Sequence, residues 1–374
     1  PQKRGYCKKN GGFTKFRKKC IDIVRSMNII NSARKWNAIP QCRTFVHTEK
    51  ERSNMNAIVE KIYEIGIVPV IAIDDAEKAV PLAKALVAGG LPAAEVTFRT
   101  AAAEEAIRRI TAEVPEMLVG AGTVLTKDQV DRALDAGSKF IVSPGFNPEI
   151  TKYALEKGAV MMPGTATPGE MEQAMSLGLD VVKFFPAEQN GGVAKLKAVA
   201  GPYTNLRWMP TGGVNAKNLM DYLSFDKIVA CGGTWMVKKD LINDEQWDEI
   251  TRLTKEAVQT MLGFEFAHMG LNTENEEEAL KAAKTFEALF GLDYAVGNSS
   301  VFAGARRMEI MKKPGRGKYG HIAIATNTLP RAIAHLKARG VEFDESSLVE
   351  KNGKKTAIYL KEEIAGFAVH LVQK

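Results

Sequence analysis

From residue 55 to about 262, short apolar runs alternate with stretches whose apolar residues recur at helical spacing. The pattern predicts strands at 68–73, 93–98, 118–123, 139–144, 159–164, 180–185, 206–211 and 227–232. Stretches such as 75–86 lie between them, with apolar residues at i, i+3 and i+4 and an aspartate near the start. Gly89-Gly90, Gly137, Gly158 and Gly178 fall where such helices should stop. Strands that are almost wholly apolar read as a parallel sheet covered on both faces. Eight β–α units in about 200 residues are the arithmetic of a (β/α)8 barrel. A doubly wound open sheet would have fewer strands and a glycine-rich first turn, which 69–76 lacks.

The rhythm changes after residue 262. A weak internal repeat pairs 266–273 with 319–326, each followed by a helix ending near a glycine, Gly291 or Gly340. Further strands are expected at 307–311, 355–360 and 366–372, a doubled βαβββ plan for a smaller α+β domain. The organisation read from the chain is therefore a basic tail over 1–54, a barrel over 55–262 and a second domain over 263–374.

Composition changes this picture in one respect. The 374 residues carry a net charge of +7, but residues 1–54 hold 14 Lys and Arg against 3 Asp and Glu. The remainder holds 37 basic and 41 acidic residues, so the body is mildly acidic and no nucleic-acid module is inferred. Cys7, Cys20 and Cys42 lie in the tail and only Cys231 in the body, which excludes a disulfide framework there and suits a reducing cytoplasm. No stretch of about twenty apolar residues offers a membrane span. The tail lacks hydrophobic periodicity. It is expected to be upstream sequence before a natural start at Met55, disordered or loosely attached, with an Arg-rich transit peptide as the other option.

The candidate chemistry starts at Lys183, which interrupts the apolar run 180–188. Burying an ammonium is costly unless it is paired or loses its charge, and a neutral amine is the form that attacks ketones. A structural ion pair and a nucleophile both fit. In 95–99, strand alternation puts Glu95, Thr97 and Arg99 on one face and Val96 and Phe98 on the other. Glu95, Arg99, Thr123, Pro144, Lys183 and the Thr211-Gly212-Gly213 turn all map to the C-terminal ends of strands, where barrel chemistry sits. Glycine pairs after the seventh and eighth strands, Gly212-Gly213 and Gly232-Gly233, lie where barrels bind phosphate through backbone N–H groups.

With these residues in place, the body resembles the class I aldolases for 2-keto-3-deoxy-6-phosphogluconate (KDPG) and 4-hydroxy-2-oxoglutarate (KHG). The matching motifs are 95–100, 119–124, Ser143-Pro144-Gly145, 182–188, 210–213 and 232–235. The resemblance implies a Schiff base on Lys183, with Glu95 moving protons. It implies that Arg99 and Thr123 bind the C1 carboxylate, and that Pro144 and Phe185 line the pyruvate pocket. Gly212, Gly213, Gly233 and Thr234 would take the phosphate, Thr234 standing where a serine is expected. No cofactor is implied for this step; the substrate is a small 2-keto-3-deoxy sugar acid phosphate, and the assembly is a homo-oligomer, a trimer in the family. Glyceraldehyde 3-phosphate and glyoxylate remain open as the aldehyde product, as do the gluconate and galactonate series. A barrel isomerase or epimerase is the rival class, though such enzymes need no Schiff-base lysine.

Residues 263–374 look like the glyoxalase and dioxygenase (vicinal oxygen chelate) superfamily. That resemblance implies a possible divalent metal on His268, Glu309, His321 and His370, with His370 replacing the usual glutamate. An enzyme for a small oxo-acid and a binding module both fit. His335, on the helical stretch 331–339, and His47 read as ordinary surface residues.

Overall fold

The structure is a computed structural model that describes residues 56–374. The expectations for the tail, including His47, lie outside the described residues. The described residues form one compact unit.

The chain enters as α1 (Ala57–Ile65), started by the Asn56 side chain, which accepts the Ile58 N–H. There follow β1 (Ile67–Ile71), α2 (Ala79–Gly89), β2 (Ala93–Thr97), α3 (Ala103–Glu113), β3 (Leu118–Gly122), α4 (Lys127–Asp135) and β4 (Phe140–Val142). Next come α5 (Pro148–Glu156), β5 (Val160–Met162), β6 (Gly164–Thr165), α6 (Pro168–Ser176), β7 (Val181–Phe184) and α7 (Gly192–Val199). The segment closes with β8 (Arg207–Pro210), α8 (Leu219–Leu223), β9 (Cys231–Gly233), α9 (Lys239–Asn243) and α10 (Trp247–Leu262).

The strands make a curled parallel sheet, an α/β barrel-like fold. One sheet runs β5-β4-β3-β2-β1-β9 and a second β6-β7-β8, with parallel bridges from Trp208 to Ile228 and from Thr211 to Gly232. The predicted strand at 159–164 is split at Pro163, which has no N–H to give the ladder. The predicted strand at 227–232 is continuous only from Cys231; Trp208 still exchanges hydrogen bonds with Lys227 and Val229, but Pro210, next along β8, has no N–H to extend the ladder.

Alternation sorts the side chains. Val68, Ala93, Leu118, Phe140, Met162, Val181, Met209 and Val229 form an inner cluster that Val59 and Ile62 of α1 plug from below. The residues between them face the helices and build the larger outer core. Two positions further along β2 and β7 the inward residues are Glu95 and Lys183, the charged exceptions among the buried strand residues of this sheet.

The remaining strands form a separate mixed sheet. Its elements are β10 (Glu265–Asn272), α11 (Glu276–Phe290), β11 (Tyr294–Val296), β12 (Ser300–Ala303), β13 (Met308–Met311), β14 (Gly320–Thr326), α12 (Leu329–Lys337), β15 (Phe343–Lys351), β16 (Lys354–Leu360) and β17 (Phe367–Gln373). The order is β11-β12-β13-β10-β14-β17-β16-β15, with β10 beside β13 and β14 beside β17 in parallel, and β10 antiparallel to β14.

This sheet domain is not merely tethered. Leu329, Ala332, Ile333, Phe343, Ile358 and Leu371 join the barrel's outer core. Arg331 is buried there, its Nε 2.9 Å from the Tyr63 carbonyl oxygen and its Nη2 3.3 and 3.1 Å from those of Ile228 and Val229. Its guanidinium lies 4.8 Å from the Tyr63 ring centroid. His335 is a correction to the sequence reading. It is half-buried, against Gly90, and burial pushes its imidazole down to about 4.

Candidate active site

Glu95 and Lys183 stand 88 residues apart in the chain and meet inside the curled sheet. Lys183 Nζ lies 3.2 Å from Glu95 Oε1, with the two residues only 5% and 1% exposed. Charges this deep persist only when paired, and Glu95 Oε2 has no protein partner. The carboxylate thus keeps one free acceptor. The Phe185 ring centroid is 5.3 Å from Lys183 Nζ, and the Phe185–Pro186 bond that follows is cis. Thr165, also buried, donates from Oγ1 to the Lys183 carbonyl oxygen at 3.1 Å.

Gly122 on β3 makes the room for Glu95. A Cβ there would stand 2.6 Å from Glu95 Cγ and 2.8 Å from Cδ, and closer still to Oε1. The sequence alone does not single out Gly122, since a glycine in a strand signals close approach without naming what approaches. The next residue, Thr123, has φ +56°, a left-handed conformation that is a genuine outlier for a β-branched side chain. Such strain persists only where the surroundings impose it and is concentrated at functional sites.

Arg99 makes no ion pair with Glu95, although strand alternation puts the two on one face. It is exposed, and its Nε donates to Thr97 Oγ1 at 3.0 Å, while that hydroxyl donates to the Ile71 carbonyl oxygen at 2.7 Å. Pro144 is partly buried, and its carbonyl oxygen abuts Gly164, where no side chain would fit.

The two glycine turns are built differently. Gly212 and Gly213 have φ +97° and +81°, conformations few other residues adopt. Among the described residues neither of their N–H groups has a protein acceptor, whereas the Gly213 carbonyl oxygen accepts from Asn215 and Asn218. Gly232 and Gly233 instead lie where a Cβ would strike the Thr211 side chain and the Trp235 ring. Thr234 is exposed and its carbonyl oxygen accepts the Val237 N–H.

A second polar cluster lies in the mixed sheet. The ring nitrogens of His268, His321 and His370 offer ligand atoms all within 4.8 Å of one another. Glu309 Oε2 is 3.4 Å from His268 Nε2 and 3.3 Å from His321 Nε2, and its Oε1 accepts from Ser300 at 2.8 Å. His321 and then Ser300 hold the Glu309 carboxyl down to about 2 against its burial. Burial pushes His370 down to about 3 and lowers His268 too, so those imidazoles are neutral, the form that ligates metals. Both ring nitrogens of the buried His370 lack a protein partner, and its ring stacks on Tyr359 at 4.5 Å. Gly270 clears the space for the His321 ring, another glycine whose purpose was invisible in the sequence. Three imidazoles and one carboxylate make a donor set that fits a divalent transition metal.

A buried lysine–carboxylate pair inside a curled parallel sheet is the equipment of carbonyl chemistry through an amine. Residues 58–253 match the family model described as "Aldolase: KDPG and KHG aldolase". The chain belongs to that family and is an aldolase, a carbon–carbon lyase. It is 49% identical over 201 residues to the "2-dehydro-3-deoxy-phosphogluconate aldolase" of Haemophilus influenzae, covering 54% of this chain and 95% of the relative. It is 45% identical over 207 residues to the "KHG/KDPG aldolase" of Escherichia coli K12, covering 55% and 97%. Among solved structures, the KDPG aldolase of Legionella pneumophila, with pyruvate captured as a covalent carbinolamine, superposes with a TM-score of 0.52 at 36% identity, over 53% of this chain and 97% of that one. That of Zymomonas mobilis with 3-phosphoglycerate gives 0.50 at 41% identity, over 53% and 94%. These relatives span about half of this chain. No helix among the described residues is long and apolar enough to cross a membrane.

Proposed function

We propose that this aldolase cleaves KDPG to pyruvate and glyceraldehyde 3-phosphate, and KHG to pyruvate and glyoxylate, through a Schiff base on Lys183. The observation that carries the residue assignment is the 3.2 Å contact of Lys183 Nζ with Glu95 inside the barrel. Passing one proton from the ammonium to Glu95 within that pair leaves a neutral amine to attack the C2 ketone. Attack gives a carbinolamine; Glu95 returns its proton to the carbinolamine hydroxyl, and loss of water leaves an iminium, an electron sink adjacent to C3, with Glu95 again a carboxylate. Glu95 takes the C4 hydroxyl proton, directly or through water. The C3–C4 bond breaks, its electrons form the enamine, and the aldehyde leaves. Protonation of C3 by way of Glu95, then hydrolysis, returns pyruvate and the amine. No cofactor enters these steps.

Arg99, steadied by Thr97, binds the C1 carboxylate as a charged fork, and Thr123 adds its hydroxyl from the strained turn. Pro144 and Phe185 wall the pyruvate pocket against water. Gly212 and Gly213 offer unpaired amides to the phosphate, joined by Gly233 and Thr234. The curled parallel sheet supports reading the aldolase part as a (β/α)8 barrel, and the family resemblance favours a trimer and a cytoplasmic location. The test is pyruvate release from KDPG, coupled to lactate dehydrogenase. Lys183→Met should reduce turnover by at least about 10³-fold; a variant retaining a tenth of the turnover would refute the assignment.

Residues 263–374 form a second domain of doubled βαβββ type that holds a divalent metal on His268, His321, His370 and Glu309. The partnerless, buried His370 ring supports this. Metal analysis of the protein after incubation with Zn, Mn, Ni or Fe(II) should give one equivalent, lost in His370→Ala. No bound metal would refute it.

A further inference from the structure

The turn that presents Gly212 and Gly213 is not free-standing. The Ala187 N–H donates to the Thr211 carbonyl oxygen at 2.8 Å and the Glu188 N–H to that of Gly212 at 3.1 Å. The segment leaving the lysine strand is thus zipped to the turn after β8. The stem of Glu188 lies directly on Gly213, where an added Cβ would stand 2.5 Å from Glu188 Cγ and 2.7 Å from its Cβ. On the far side, the hydroxyl of Tyr222 donates to Glu188 Oε1. Tyr222 is 1% exposed on α8, while Glu188 itself is exposed. Burial and then Glu188 push the phenol pKa up, so it remains a donor. A cavity of about 350 Å³, lined in part by Glu188, Gly192, Asn218 and Tyr222, borders the pair. Without the phenol bond the carboxylate has space to rotate away and uncover one side of the turn.

We infer that the Tyr222–Glu188 pair is a positioning device that clamps the Gly212–Gly213 turn and so sets the preference for phosphorylated over unphosphorylated substrates. The inference rests on the assignment of phosphate to that turn. Neither residue touches the reacting atoms; the pair acts by holding two backbone amides where a dianion's oxygens meet them. A phosphorylated substrate uses the turn and KHG, which has no phosphate, does not.

The experiment compares KM and kcat for KDPG and KHG in the full chain, in Tyr222→Phe and in Glu188→Ala, and measures competition by inorganic phosphate. Loss of one hydrogen bond predicts that the KDPG-to-KHG ratio of KM values rises roughly two- to tenfold, the change falling on KM and not on kcat. Glu188→Gln, which keeps an acceptor for the phenol, should restore most of the difference. Glu188→Ala alters an exposed residue and keeps the test decisive if Tyr222→Phe folds poorly. An unchanged ratio, or equal rises for both substrates, overturns the inference. If inorganic phosphate competes in the unaltered chain with the same inhibition constant as in the variants, the clamp alone is refuted. If it does not compete at all in the unaltered chain, the phosphate assignment falls and the clamp with it.

Discussion

Gly122→Ala is the most informative single change because its collision is with Glu95, the carboxylate proposed to move the protons. The new methyl would stand 2.6 and 2.8 Å from Glu95 Cγ and Cδ, below any distance real Cβ atoms show. Glu95 is 1% exposed on a strand whose five residues are all buried, so it has nowhere to retreat without moving β2 or releasing Lys183. Overpacking of this kind costs about 1–3 kcal/mol. A displacement of about 1 Å at a proton-transfer group costs about 10²-fold in rate, roughly 2.7 kcal/mol in the barrier. Gly120→Ala on the same strand is the control, because its methyl would collide with the ring of Phe140 in the inner cluster. Both variants should lose several degrees of melting temperature, at about 2–4 °C per kcal/mol for a body of this size. Only Gly122→Ala should in addition lose about 10²-fold in kcat for pyruvate release. If it keeps more than half the kcat, or if Gly120→Ala loses as much, Glu95 is not held and used as described.

Three further outcomes follow from the geometry. Thr123→Gly should relieve a left-handed strain of about 1–3 kcal/mol, offset in part by the flexibility of glycine, while raising KM for the 2-keto acid; calorimetry and kinetics on the same sample check the opposite signs. Arg331→Leu should destabilise the chain by about 2–5 kcal/mol, because the carbonyls of Tyr63, Ile228 and Val229 lose their buried donor; denaturant unfolding reads it. His335 stays neutral down to about pH 4 in the folded chain, while the unfolded chain takes up that proton below the usual histidine value of about 6.5. Stability contributed at this position is therefore complete above that value and falls as pH drops from 6.5 to 4, so the difference in melting temperature between the unaltered chain and His335→Gln should shift across that window and be flat above it.

Much of the curled parallel sheet was legible because its pattern is strict. Strands buried on both faces are mostly apolar, so the charged Glu95 and Lys183 stand out as exceptions, and glycines mark the ends of the helices between them. The partnership of Glu95 with Lys183 was not legible, since alternation gives a face and not a neighbour across the barrel. Gly122 and Gly270 signal that something comes close, and only the fold says that it is a carboxylate or an imidazole. The strain at Thr123 is hidden because nothing in a Gly-Thr pair reveals φ. Arg331 and His335 read as ordinary polar positions of an amphipathic helix. Their burial comes from docking against the barrel, a contact between segments more than 200 residues apart in the case of Tyr63 and Arg331.

Trapping the intermediate tests the central claim most directly. The protein is incubated with pyruvate, reduced with borohydride, and the adduct located by peptide mass spectrometry. The account predicts one pyruvyl group per chain, confined to Lys183 and absent from Lys183→Met. A chain that binds pyruvate yet forms no adduct, or forms it on another lysine, would contradict it.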